Sequence, residues 1–239
     1  MPKVIINDPS TNRTAPQQPR QRCPEGLLKY NASPLPQKPR EIDPSQCHII
    51  ASISQIINSA EGQKLGKSPL DFLWKHLPWF NRVTLLFATR DYPNKENVAE
   101  DFHRECDGVP DVLVIIKSGQ YIAGGYTEVP FESREFDRQN PSAHFKPNAN
   151  LSTFVFSANK TKVYSLKEKY KENALNCDKY NGPSFGLSGL KVVGDYRSKG
   201  NLDSLHKRFS AFHSENAVEG ELFGTDWFTI DEYEVFRLN

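Results

Sequence analysis

Cys106 has the most obvious chemical potential in this chain, because His103 and Glu105 lie within three positions of it. A thiol beside an imidazole is the pairing a cysteine nucleophile uses. Residues 96–106, however, read as a helix with Val98, Ala99, Phe102 and Cys106 on one face and Glu96, Glu100, Asp101 and Arg104 on the other. A thiol on the apolar face belongs in a core, whereas a reactive thiol needs an exposed, electropositive setting. The histidines at 48, 76, 103, 144, 206 and 213 never fall in an HxH, HxxxH or HExxH spacing, so a metal site would need ligands gathered from distant segments. Gly124-Gly125 ends a strand-like run and lacks the spacing that cradles phosphate. Glycine there is expected to admit a close backbone approach, with Tyr126 packing across it. Phe185-Gly186 reads as an aromatic anchor followed by a residue free to take positive φ. The acidic pairs Glu100-Asp101, Asp231-Glu232 and Glu219/Glu221 are expected on solvated faces, as is the run Lys160, Lys162, Lys167, Lys169 and Lys171. These residues form no catalytic constellation, and no cofactor is implied.

The elements that would position these residues can be read along the chain. Residues 1–46 hold nine of the seventeen prolines and seven Lys/Arg against four Asp/Glu. Such a segment is expected to be an extended, mildly basic arm, with Arg13, Arg20, Arg22, Lys38 and Arg40 available to bind an acidic surface. Isoleucines at helical spacing predict a helix over 46–60, ended by Gly62 and Gly66. Ser68-Pro69 opens a second one running to Leu77. Residues 82–88, which hold most of the run VTLLFAT (83–89), predict a strand buried on both faces. Strands at 112–117 and 120–126 are joined by Ser118-Gly119, a tight hairpin signal. Further strands fit 151–157, 161–165, 185–193 and 227–238, and residues 203–212 suit either strand or helix. Residues 132–150 and the stretch through Asn181-Gly182-Pro183 read as polar loops. The sum is an α+β chain: an antiparallel β-sandwich of two sheets with flanking helices, preceded by the Pro-rich arm. The expected division is an arm at 1–46, a helical lead-in at 47–79 and a sandwich core at 80–239.

The order FHRECDG at 102–108, VLVIIKSGQYIAGGYTEVPF at 112–131, Phe154-Val-Phe156-Ser157, Gly182-Pro183-Ser184-Phe185-Gly186 and Glu234-Val235-Phe236 resembles the TLDc domain. That resemblance covers 80–239 well and 46–79 loosely. It implies the two-sheet sandwich, protection against oxidative damage, and binding to the vacuolar proton-pumping ATPase. Gly124, Gly125, Tyr126, Phe185, Gly186, Val235 and Phe236 are carried over as fold-defining positions, and Glu234 as an acid that anchors the sheet or faces a partner. Three positions depart from the pattern: Val109-Pro110-Asp111 stands for Gly-Pro-Thr, Phe131 for Trp, and Ser188-Gly189-Leu190 for Gly-Asp-Leu.

A net charge of +1 gives no global attraction to nucleic acid, and the longest apolar run, Val112 to Ile116, is too short to span a bilayer. Four cysteines (Cys23, Cys47, Cys106 and Cys177) without a close-spaced pair, and no secretory leader, suit a reducing cytoplasm. The expected function is a non-enzymatic protein-interaction domain, with vacuolar ATPase subunits as partner. The alternative is a structural component of a ciliary axoneme, tethered to tubulin or axonemal proteins by its basic arm. A peroxide-consuming enzyme is a distant third.

Overall fold

Five consecutive apolar residues of one strand, Val112 to Ile116, are all completely buried, which needs cover on both faces of their sheet. The computed structural model supplies it. It describes residues 45–92, 98–135, 137, 139–140, 142–186, 189–193, 200–201, 220–225 and 227–239, all within one unit, Arg40–Asn239. The first sheet contains β1 (Val83–Ala88), β2 (Val112–Ser118), β3 (Tyr121–Thr127), β5 (Phe154–Ser157), β6 (Lys162–Ser165) and β12 (Glu232–Leu238), in the order β1-β12-β2-β3-β5-β6. The second contains β4 (Phe145–Lys146), β7 (Leu175–Asn176), β8 (Asn181–Phe185), β9 (Leu190–Val193), β10 (Gly200–Asn201) and β11 (Trp227–Phe228), in the order β11-β10-β9-β8-β7-β4. Every strand pair is antiparallel, as the α+β sandwich requires.

Alternation along β2 and β12 sorts the core into two layers. Val112, Val114, Ile116, Tyr233 and Val235 point between the sheets, where they meet Phe185, Leu190 and Val192. Leu113, Ile115, Phe236 and Leu238 point the other way, against Cys47, Ile50, Ile56, Ile57, Leu70 and Leu73. Each fully buried aliphatic side chain stabilises by about 1.5–3 kcal/mol, so the two layers together dominate the fold. The helical lead-in is therefore a third layer, and its apolar stripe is what permits an unbroken apolar run in an antiparallel strand.

That lead-in is not one helix. It comprises α1 (Ser45–Ile53), α2 (Gln55–Asn58) and α3 (Ala60–Lys64), broken at Ser54 and Ser59. Each serine leaves the helix and caps the next: Ser54 Oγ accepts from Ile57 N at 3.1 Å, and Ser59 Oγ from Gly62 N at 3.3 Å. Gly62 lies inside α3 and not at its end. Only Asp71–Leu73 of the second expected helix is regular, as a single 3-10 turn.

Three further expectations change. β1 is an edge strand, so Leu85 stays 36 % exposed instead of being buried on both sides. The hairpin turn is Gly119-Gln120, with Ser118 paired to Tyr121 and Gly119 at φ +55°. Asn181-Gly182-Pro183 is not a loop but most of β8, entirely buried. Proline has no N–H for a ladder, and β8 tolerates it because the β8–β9 register shifts between Asn181 and Ser184. The helix at 96–106 is found as α4 (Val98–Cys106), with Val98, Ala99, Phe102 and Cys106 buried as expected. Residues 203–212 lie outside the described residues.

Candidate functional site

The two glycines of β3 have separate duties. A Cβ on Gly124 would sit 1.9 Å from the Val114 carbonyl oxygen and 2.9 Å from the Phe156 ring. One on Gly125 would sit 2.7 Å from the Phe185 ring, which lies flat against that backbone from the second sheet. Phe185 in turn meets Phe131 edge-on at 5.8 Å, and Phe131 meets Phe102 of α4 at 5.3 Å. Gly186, at φ +75°, turns the chain out of β8. Tyr126 is buried and donates to Asp111 Oδ1 at 2.7 Å. Burial, then this carboxylate, pushes its phenol far up. Asp111 itself sits at φ +56°, a conformation that Asp tolerates better than a β-branched residue. Val235 and Phe236 fill opposite core layers.

Glu234 shares the helical face of β12 with Phe236 and Leu238 and is completely buried. Its Oε2 accepts from Ser54 Oγ at 2.5 Å, and its Oε1 accepts from Gln55 N at 2.9 Å and from Arg90 Nη1 at 2.5 Å. The same Arg90 nitrogen also bonds Glu232, which leaves the guanidinium between two carboxylates. Ser54 thus relays between Ile57 N and Glu234, and the carboxylate caps the break between α1 and α2. Of the two roles open to Glu234, the geometry occupies it as an anchor joining the last strand, the turn after β1 and the lead-in. Arg13, Arg20, Arg22, Lys38 and Arg40 lie outside the described residues.

The sequence profile of the TLDc domain matches residues 60–239. The chain belongs to the TLDc domain family. No curated protein matches it. The profile begins after Ser54 and Gln55, so this TLDc domain caps its own buried Glu234 with residues that precede the matched span.

The groups with catalytic potential in this TLDc domain have internal duties. Cys106 is completely buried, and burial, with Asp107 and Glu105 adding, pushes its thiol well up; burial likewise raises Cys177 to about 11. His103 does not face Cys106's neighbourhood as a base. Its Nδ1 meets Asp107 Oδ1 at 2.8 Å and its Nε2 the Asn181 carbonyl at 3.0 Å, pinning α4 to β8. Ser133 Oγ donates to the same aspartate at 2.6 Å. A serine, an aspartate and a histidine are present, but the serine bonds the acid and the imidazole has no nitrogen turned to it. A nucleophile needs the opposite order. Among the described residues no group of three or more His, Cys, Asp or Glu is placed to hold a metal ion, and no helix is long and apolar enough to cross a membrane.

Glu221, expected on a solvated face, is instead buried. Burial alone would raise its pKa, but hydrogen bonds from Tyr164 (2.6 Å), Lys160 and Lys162 outweigh it and hold the carboxyl at about 2. Two of the five lysines read as a solvated run, Lys160 and Lys162, thus pair with a buried acid while staying 43 % and 37 % exposed. The folded-state pKa lies below the ordinary 4.5, so this stabilisation is complete above about pH 4.5 and is lost as pH falls toward 2. Urea midpoints measured from pH 6 to pH 2 should therefore fall steeply in that window. Glu221→Gln should start lower and show a flatter fall.

The surface also exposes large aromatic groups. Trp79 is 48 % and Tyr180 61 % exposed, and Lys179 Nζ lies 4.8 Å from the Tyr180 ring centre. A groove of about 500 Å³ opens beside the β2–β3 turn, lined in part by Tyr121, Phe223, Phe228 and Asp231. Its rim is fixed by Ser118 Oγ donating to the Thr229 carbonyl at 2.7 Å and Gly119 N donating to Asp231 Oδ2 at 2.8 Å. Neither Trp79 nor Tyr180 was singled out as a binding residue from the sequence, since a lone aromatic in a loop carries no pattern.

Proposed function

We propose that this TLDc domain is a non-enzymatic interaction module whose folded body docks on a large protein assembly. The observation that carries the reading is the division of labour among its side chains. The described thiols are buried, and the His103 imidazole and the buried carboxylates of Glu221 and Glu234 are held by internal bonds, while Trp79 and Tyr180, aromatics of the type that dominate interface energetics, are 48 % and 61 % exposed. The TLDc resemblance supports the vacuolar proton-pumping ATPase as the assembly, with a cytoplasmic location and a role in resistance to oxidative damage. One observation favours a second reading, a structural component of a ciliary axoneme: the seven Lys/Arg against four Asp/Glu of residues 1–46 suit an acidic lattice such as tubulin.

Affinity capture from native lysate, read by mass spectrometry, separates the two. The full chain and a variant lacking residues 1–39 should both recover vacuolar ATPase subunits. Recovery of tubulin or axonemal proteins by the full chain alone would replace the pump reading with the axonemal one. A peroxide-consuming activity abolished by Cys106→Ser would overturn both.

A further inference from the structure

The first sheet ends on one side at β1, and the β1–β12 register shows what that edge offers. Arg82 and Asn239 exchange both backbone hydrogen bonds, at 3.0 and 2.8 Å. Val83 stands opposite Leu238, whose own N–H goes to the Asp111 carbonyl on the far side at 2.9 Å. Antiparallel alternation therefore turns the N–H and C=O of Val83 and Leu85 away from β12. Among the described residues no loop or cap bonds these four groups. The register then shifts between Leu85 and Phe87, which ends the regular edge.

The side chains beside this edge are apolar. Leu85 stands opposite Phe236, on the helical face of the sheet, and is 36 % exposed. Helix α1 packs against β1 and leaves Ile49 and Ile53 36 % and 39 % exposed. Neither Val83–Ala88 nor Ser45–Ile53 contains a lysine, arginine or carboxylate. Solvent-facing edges are normally blunted by charge or proline, and this one has neither.

Whatever covers the edge must offer backbone donors and acceptors at strand spacing, apolar side chains on the helical side, and no charge to bury. β1 itself meets all three conditions. We propose that two copies of this chain associate by antiparallel β1–β1 pairing across a two-fold axis, Leu85 opposite the partner's Leu85. The two six-stranded sheets become one, and Ile49 and Ile53 of each α1 cover the seam. Because the same patch serves both copies, the assembly closes at a dimer. The absence of charge is what makes self-pairing possible, since any charge near the axis would face its own copy.

Sedimentation equilibrium on the full chain at about 100 μM, where a micromolar interface is nearly saturated, should give twice the chain mass of 27.2 kDa. Leu85→Lys and Ile53→Glu should each weaken the dimer at least about tenfold, lowering the average mass toward that of one chain in a dilution series down to about 1 μM, while Leu85→Val keeps the dimer. Both disruptive changes are at exposed positions on different elements, so a wild-type far-UV spectrum and a cooperative melt in either one separate lost association from lost folding. A wild-type mass of one chain, masses that grow past two, or a dimer that survives both folded variants would overturn the proposal.

Discussion

Replacing Glu234 with alanine is expected to destabilise the domain by about 3–5 kcal/mol, the range for removing one partner of a buried ion pair. The loss has identifiable parts. The buried Ser54 Oγ and the part-buried Gln55 N–H would both lose their acceptor, and a buried orphan costs about 1–3 kcal/mol. Arg90 is affected less, because it is partly exposed and keeps Glu232. Glu234→Gln retains one carboxamide oxygen and should lose about half as much, since one acceptor can still serve the helix break. Urea denaturation gives the magnitudes, and amide exchange gives the location. Exchange at Gln55 and Ile57 should accelerate in the alanine variant before that of β2 or β3. A Glu234→Ala protein within about 1 kcal/mol of wild type would show that the anchor contributes little.

Gly124→Ala is expected to cost about 3 kcal/mol, at or above the upper end of ordinary overpacking. The new methyl would lie 1.9 Å from a backbone oxygen of β2, and β2 is held by β12 on one side and β3 on the other. The strand has nowhere to retreat. Gly125→Ala meets a side chain instead, the Phe185 ring at 2.7 Å, and here relief is available. Phe185→Leu placed in the Gly125→Ala background should recover about 1 kcal/mol relative to additivity. The same Phe185→Leu change should recover nothing in the Gly124→Ala background. Equal coupling in both backgrounds would mean that the two glycines do not have the separate roles the geometry gives them.

Much of the fold was legible because local pattern and tertiary need agree. The alternation of β2 and β3, the stripe of Val98, Phe102 and Cys106 on α4, and the glycine pair each carry their reason within a few residues. The failures have the opposite character. Isoleucines keep helical spacing across Ser54, so nothing nearby signals a break; the group that completes it is Glu234, 180 positions later. Glu221 looks like a surface acid until Lys160, Lys162 and Tyr164 are folded against it. Asn181-Gly182-Pro183 has turn composition, and only the register shift against β9 makes it strand. The sandwich expected from the TLDc resemblance is present, and the departure to Asp111 fits a positive φ that the Tyr126 hydroxyl helps to hold. The candidate surface was the least legible part, because exposure of Trp79, Tyr180 and Leu85 follows from their neighbours and not from their own type.

Direct binding of the purified chain to purified vacuolar proton-pumping ATPase tests the central claim most closely. Saturable binding should persist when residues 1–39 are removed and weaken at least about tenfold in a Trp79→Ala/Tyr180→Ala variant that melts like wild type. No binding by the full chain, or binding that disappears with residues 1–39 and ignores both aromatic changes, would contradict an interaction surface on the TLDc body.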